Sequence, residues 1–162
     1  MLRIALFPGS FDPITCGHVE IVRRGLKLFD RIVIGVGINT SKTPTFDVQT
    51  RVEWIRKCFA DDGRVEVKTY SGLTVNFARE CGAEFILRGL RAAPDFEYEK
   101  NIDLLNNHLF PGVQTVYLIA FPETAHISST LVREVVRFGG ILDGLTPPHV
   151  VEDILRRTPS SS

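Results

Sequence analysis

"LRIALFPGSFDPITCGHVEIVRRGLKLFDRIVIGVGI", Leu2 to Ile38, carries the pattern on which the fold depends. Leu2–Phe7 is a short apolar run and reads as a strand. Pro8–His18 then packs two prolines, two glycines, an aspartate and a histidine into eleven residues. Residues 17–29 place Ile21, Val22, Leu26 and Phe29 at helical spacing. Residues 31–38, "RIVIGVGI", are β-branched and read as a buried strand. Strand, loop, helix and strand in this order form a β-α-β unit, which implies a parallel pair.

The same alternation continues outward. Asp47 caps a helix with Val48, Val52, Ile55 and Phe59 on one face. "RVEVKTY" (64–70) alternates as a strand. "LTVNFARECG" (73–82) reads as a helix stopped by Gly82. "EFILRGL" (84–90) is a fourth strand, "DFEYEKNIDLLNNHLF" (95–110) a helix ended by Pro111-Gly112, and "QTVYLIAF" (114–121) a fifth strand. Ser129–Phe138 is helical up to Gly139-Gly140, and Pro147 opens a last helix through Arg157. The expectation is an α/β fold with one domain over 1–157 and a polar tail at 158–162, without repeats or linkers.

Bulk properties narrow the function. The chain has 162 residues, long enough for a core without disulfide or metal staples. Nineteen basic residues balance nineteen acidic ones, which argues against bulk attraction to nucleic acid or to a membrane surface. The cysteines, Cys16, Cys58 and Cys81, are scattered and read as free thiols of a reducing compartment. The apolar start is too short for a signal peptide, and no run approaches a membrane span. A cytoplasmic location is expected. No histidine and cysteine set has zinc spacing, and no protein-held metal is expected.

In a doubly wound sheet, ligands bind beyond the carboxyl ends of the strands. At that edge fall Ser10, Gly17 and His18 after strand 1 and Lys42 after strand 2. Ser71–Thr74 follows strand 3, Arg88 and Arg91 strand 4, and Ser128–Thr130 with Arg133 strand 5. Each has an ordinary explanation: a cap, a solvated lysine, or an arginine paired with Asp95 or Glu97. A random surface would scatter them. Gathered on one edge, cations and helix N-termini suit a polyphosphate, most simply a nucleoside triphosphate. The P-loop pattern G-x-x-x-x-G-K-[ST] and the dinucleotide pattern G-x-G-x-x-G are both missing. No nucleophilic triad assembles, and Cys16 has no assigned role.

Three stretches carry a family resemblance. "TCGH" (Thr15–His18) resembles the (H/T)xGH signature of a nucleotidyltransferase superfamily. "ISSTLVR" (Ile127–Arg133) resembles its ISSTxxR signature, and "LRGLRAAPDFEYE" (87–99) is similar to bacterial phosphopantetheine adenylyltransferases. The resemblance implies a five-stranded parallel sheet of order 3-2-1-4-5. It implies transfer of adenylate from ATP to 4′-phosphopantetheine, giving dephospho-coenzyme A and pyrophosphate by in-line attack without a covalent intermediate. It implies His18, Lys42 and Arg91 as catalytic residues. It implies ATP contacts at Ser10, Phe11, His18, Gly89, Leu90, Arg91, Glu99, Thr124, Ala125, His126, Ile127, Ser128, Ser129 and Thr130. Acceptor contacts are implied at Ser10, Lys42, Leu73, Thr74, Arg88, Ile102, Leu105 and Asn106. Mg2+ with ATP and a homohexamer are implied too. Phe7, Gly72, His126 and Arg133 depart from residues common at those family positions. The other readings are a superfamily member acting on another acceptor, such as nicotinamide mononucleotide, and a nucleotide-binding module without catalysis.

Overall fold

A computed structural model describes residues 2–39 and 41–157. The expected tail at 158–162 lies outside the described residues. The elements are β1 (Ile4–Gly9), α1 (Cys16–Gly25), β2 (Arg31–Gly37), α2 (Val48–Cys58), β3 (Val65–Tyr70) and α3 (Thr74–Glu80). They continue with β4 (Phe85–Leu90), α4 (Ala93–Leu109), β5 (Gln114–Ile119), α5 (Ser129–Arg137) and α6 (Pro148–Arg157). The five strands form one sheet in the order β3-β2-β1-β4-β5, with every pair parallel. The expected α/β architecture and strand order both hold.

Successive strand residues point to opposite faces, and each face is buried. Ala5 and Phe7 of β1 and Ile32, Ile34 and Val36 of β2 join the larger core, with residues of α1, α2, α5 and α6. Leu6 and Val33 point the other way into a smaller core with Val75, Phe77 and Ala78 of α3. Trp54 is buried in the larger core, and its indole N–H donates to the carboxylate of Asp153 at 2.9 Å.

Some boundaries differ from the sequence reading. Strand β1 does not stop at Phe7 but runs through Pro8 and Gly9, both in register with β2. Proline is tolerated there because β1 pairs with β4 only at Ala5 and Leu6, so the pair of strands opens beyond that point. Helix α1 ends at Gly25, and Leu26–Phe29 form tight turns closed by Lys27 N–H on the Arg24 carbonyl and Leu28 N–H on the Gly25 carbonyl. Helix α4 begins two residues before Asp95 because Pro94 fits a first helical turn. Strand β5 ends at Ile119, where Phe121 N–H turns away to a side chain.

Candidate active site

The split between β1 and β4 decides where the site lies. Beyond Leu6 the strands diverge, and Arg88 of β4 spans the gap, donating from its guanidinium to the Pro8 carbonyl at 3.0 Å. Two cavities meet there, both lined by Pro8, Gly9, Ser10, Arg88, Tyr98 and Glu99. One, of about 530 Å3, extends over α1 and the start of α5. The other, of about 700 Å3, extends past the ends of β2 and β3.

The first cavity is built for an anion. Gly17, His18, Arg91, Ser128, Ser129, Thr130 and Arg133 all line it. The N-termini of α1 and α5 therefore open onto the same space, and both turn positive dipole ends toward it. Ser128 caps α5 by accepting from Leu131 N–H at 3.1 Å. Ser129 donates to the Pro13 carbonyl at 2.8 Å, and Arg133 donates to the Asp12 carbonyl at 2.8 Å and to the Thr130 hydroxyl at 3.2 Å. These bonds fasten the second signature to the first loop.

His18 is fixed by its own helix start. Thr15 and His18 form a capping box. The Thr15 N–H donates to His18 Nδ1 at 3.0 Å, and the His18 N–H donates to the Thr15 hydroxyl at 3.3 Å. With Nδ1 accepting, the ring proton of the neutral imidazole sits on Nε2. Phe11 and Phe7 meet the ring edge-on at centroid distances of 5.0 and 6.2 Å. Burial first, and then the positive charges of Arg91 and Arg88, push the His18 pKa down from 6.5 to about 4. In the free protein His18 is thus a neutral N–H donor and not the cation that its place among phosphate-binding groups suggests.

Phe11 makes this wall by adopting a φ of 48°, in the left-handed region. Gly9 lets that ring lie close: a Cβ at position 9 would be 3.0 Å from it, tighter than ordinary van der Waals contact. Close approach is therefore the role of Gly9. Gly89 similarly admits α1, since a Cβ there would meet Ile21 at 2.9 Å.

The arginines occupy the junction with defined partners. Arg91 pairs with Asp95, and its guanidinium reaches the Ile127 carbonyl at 3.5 Å. Arg88 makes a bidentate ion pair with Glu99, from Nε at 2.8 Å and from a terminal nitrogen. The structure therefore places Glu99 against the arginine that bridges both cavities. It is buried, with 10% of its side chain exposed, at the boundary between them.

The second cavity is lined by Gly37, Ile38 and Asn39 after β2, Tyr70–Gly72 and Thr74 after β3, and Ile102, Asp103 and Asn106 of α4. The Tyr70 hydroxyl lies 3.1 Å from the Thr74 hydroxyl, and its ring stacks on Phe77.

The two cavities gather Ser10, Phe11, His18, Thr74, Arg88, Gly89, Arg91, Glu99, Ile102, Asn106, Thr124, Ile127, Ser128, Ser129 and Thr130. They do not gather the other expected residues. Leu73 is the exposed N-cap residue of α3, Leu105 points out from α4, and Leu90, Ala125 and His126 line neither cavity. Lys42 is exposed on the loop after β2 and lines neither cavity, although Asn39, which starts that loop, does. Tyr70, Tyr98 and Tyr117 were not anticipated as cavity residues. Tyr70 had a usable signal, since it ends a strand at the binding edge.

The comparisons agree with this geometry. Residues 6–135 match the cytidylyltransferase-like family model. A phosphopantetheine adenylyltransferase of Clostridium botulinum is 43% identical over 97% of this chain and 99% of its own length. That of Cytophaga hutchinsonii is 46% identical over 91% of this chain and 98% of its own. Among solved structures, a bifunctional NMN adenylyltransferase/ADP ribose pyrophosphatase of Francisella tularensis superposes with a TM-score of 0.74. It is 15% identical, and the match covers 98% of this chain and 51% of that one, so it supports the fold alone. Signature loops, joined cavities and full-length identity converge: the chain belongs to the cytidylyltransferase-like family and, within it, to the phosphopantetheine adenylyltransferases.

Proposed function

We propose that the chain transfers the adenylyl group of ATP to the phosphate of 4′-phosphopantetheine, releasing pyrophosphate and forming dephospho-coenzyme A. The observation that carries this reading is the pair of cavities meeting at Ser10 and Arg88. A binder of one nucleotide needs one of them; a transferase needs both, open to each other where the bond forms.

In this reading the triphosphate lies in the first cavity, across the N-termini of α1 and α5. Ser128–Thr130, Arg91 and Arg133 take the β- and γ-phosphates. Phe11, Gly89, Thr124 and Ile127 surround the remaining nucleotide. The acceptor arm lies in the second cavity against Thr74, Ile102 and Asn106, with its phosphate directed to Arg88 and Ser10. An acceptor phosphate oxygen attacks the α-phosphorus; the new P–O bond forms as the bond to the bridging oxygen of pyrophosphate breaks. His18 Nε2–H donates to the α-phosphate oxygens as charge moves onto them. Such catalysis rests on positioning and electrostatics, and no nucleophile is required. Lys42 would act from the loop beside the acceptor cavity.

Among the described residues no group of acidic, histidine or cysteine side chains is arranged to hold a metal. Asp95 and Glu99, which line the nucleotide cavity, are both in ion pairs. This fits Mg2+ carried by the triphosphate and water, where it offsets phosphate charge. A cytoplasmic, homohexameric enzyme completes the proposal. Among the described residues no helix is long and apolar enough to cross a membrane. Apolar side chains exposed along α4 support self-association.

Pyrophosphate release from ATP is the test. It should require 4′-phosphopantetheine and should not occur with nicotinamide mononucleotide. Turnover with nicotinamide mononucleotide alone would replace this acceptor; nucleotide binding with no turnover on either would replace the enzyme reading.

A further inference from the structure

The proposed mechanism leaves unused two charged residues of α1, Glu20 and Arg24, on the outer side of the nucleotide cavity. Glu20 is on α1, half a turn past His18, and only 12% of its side chain is exposed. Its carboxylate accepts from the Thr124 hydroxyl, from Phe121 N–H at 3.3 Å, and from Arg24 at 2.6 Å. Arg24 also donates to the Ile119 carbonyl at 2.7 Å and lies 4.1 Å over the Phe121 ring. Two residues of α1 thus hold the end of β5 and the turn after it.

That turn forms a wall of the nucleotide cavity through Ala120, Thr124 and Ile127. The triphosphate end is occupied by His18, Ser128 and the α5 N-terminus, so the turn lies where the nucleoside end falls. The helix that sets His18 against the phosphates therefore also sets the wall against the nucleoside. Without the carboxylate, the Thr124 hydroxyl and Phe121 N–H lose their shared acceptor. The turn is then attached by Arg24 and by its own bonds, such as Thr124 N–H to the Phe121 carbonyl.

We propose that Glu20 is a positioning residue for the nucleotide: it ties the 120–127 turn to the helix bearing His18 and fixes the distance between the nucleoside wall and the reacting phosphate. The proposal rests on the placement of ATP in this cavity. Its signature is selective. Glu20→Ala raises the KM for ATP about tenfold, the scale of one lost hydrogen bond to a charged group, with kcat and the acceptor KM changed less than twofold. Thr124→Val, approached from the turn side, raises the same KM, and the double variant adds little because both remove one contact.

The experiment is steady-state kinetics on wild type, Glu20→Ala, Thr124→Val and the double variant, with calorimetric titration of each by ATP and thermal melting. A selective loss of ATP affinity shared by both single variants, and not compounded in the double, supports the proposal. An unchanged ATP affinity in Glu20→Ala overturns it. So does a parallel loss of kcat and melting temperature with ATP affinity retained in the folded fraction. Calorimetry keeps the two readings apart: if wild type binds ATP but turns over no acceptor, the proposed reaction fails while the affinity comparison still decides the role of Glu20.

Discussion

His18 joins sequence to chemistry most directly. A histidine among two arginines and two helix N-termini is desolvated and repelled by like charge, so it stays neutral and donates from Nε2. His18→Ala should lower kcat by about 10²–10³-fold, the usual effect of removing one transition-state hydrogen-bond donor, with the KM for ATP nearly unchanged. An equal loss in ATP affinity would refute a contact that strengthens only in the transition state. The pKa has its own consequence. Between pH 6.5 and about 4 the unfolded chain binds more protons at this residue than the folded chain. His18 therefore contributes stability that is present above pH 6.5 and lost as pH falls through about 4. In the free protein, an NMR titration should find the ring pKa near 4, and bound triphosphate should raise it. A free value near 6.5 would show that the ring is solvated.

Elements set what the residues can do. The capping box that starts α1 also selects the His18 tautomer, so a local folding signal and a catalytic one share the same atoms. Thr15→Ala should destabilise the protein by about 1 kcal/mol through loss of the cap, and should lower kcat less than His18→Ala does, because the hydroxyl beside Nδ1 is lost while the residue-15 N–H that donates to Nδ1 remains. Unchanged kcat with reduced stability would separate the two roles. Between β4 and α4 the tie is Arg88–Glu99. Glu99→Gln should cost about 2 kcal/mol in stability and raise the acceptor KM, since the released guanidinium loses its aim. A change in ATP affinity alone would return Glu99 to the nucleotide. Periodicity and cap residues made all eleven elements legible, because Asp47, Gly82 and Ser128 act through local chemistry. The Arg88–Glu99 pair and the Glu20 contact with Thr124 were not legible. They join residues that only the tertiary fold brings together, and no local spacing announces either as a contact. The end of strand β1 is hidden for a related reason: Pro8 looks like a terminator until the divergence of β4 relieves its missing donor.

At the scale of the whole molecule, α4 is the element that the monomer leaves unfinished. It is the longest helix, 17 residues, yet Glu99 is its only buried residue. Phe96, Leu104, Leu105 and Leu109 are 45, 61, 55 and 42% exposed. A helix normally owes its stability to an apolar face pressed on the core, and this one presents leucines to the outside while its polar residues line the acceptor cavity. Self-association would cover the leucines and brace the cavity wall together. Leu104→Glu with Leu109→Glu should then reduce the mass found by light scattering, because burying two carboxylates in an apolar contact is costly. It should also raise the acceptor KM, through a looser Ile102 and Asn106, while the KM for ATP changes less, since α4 meets the nucleotide cavity only through Pro94–Glu99, ahead of both substitutions. A wild type that is monomeric at micromolar concentration would sink the homohexamer. A variant of reduced mass with unchanged acceptor KM would show that α4 holds the cavity without its neighbours.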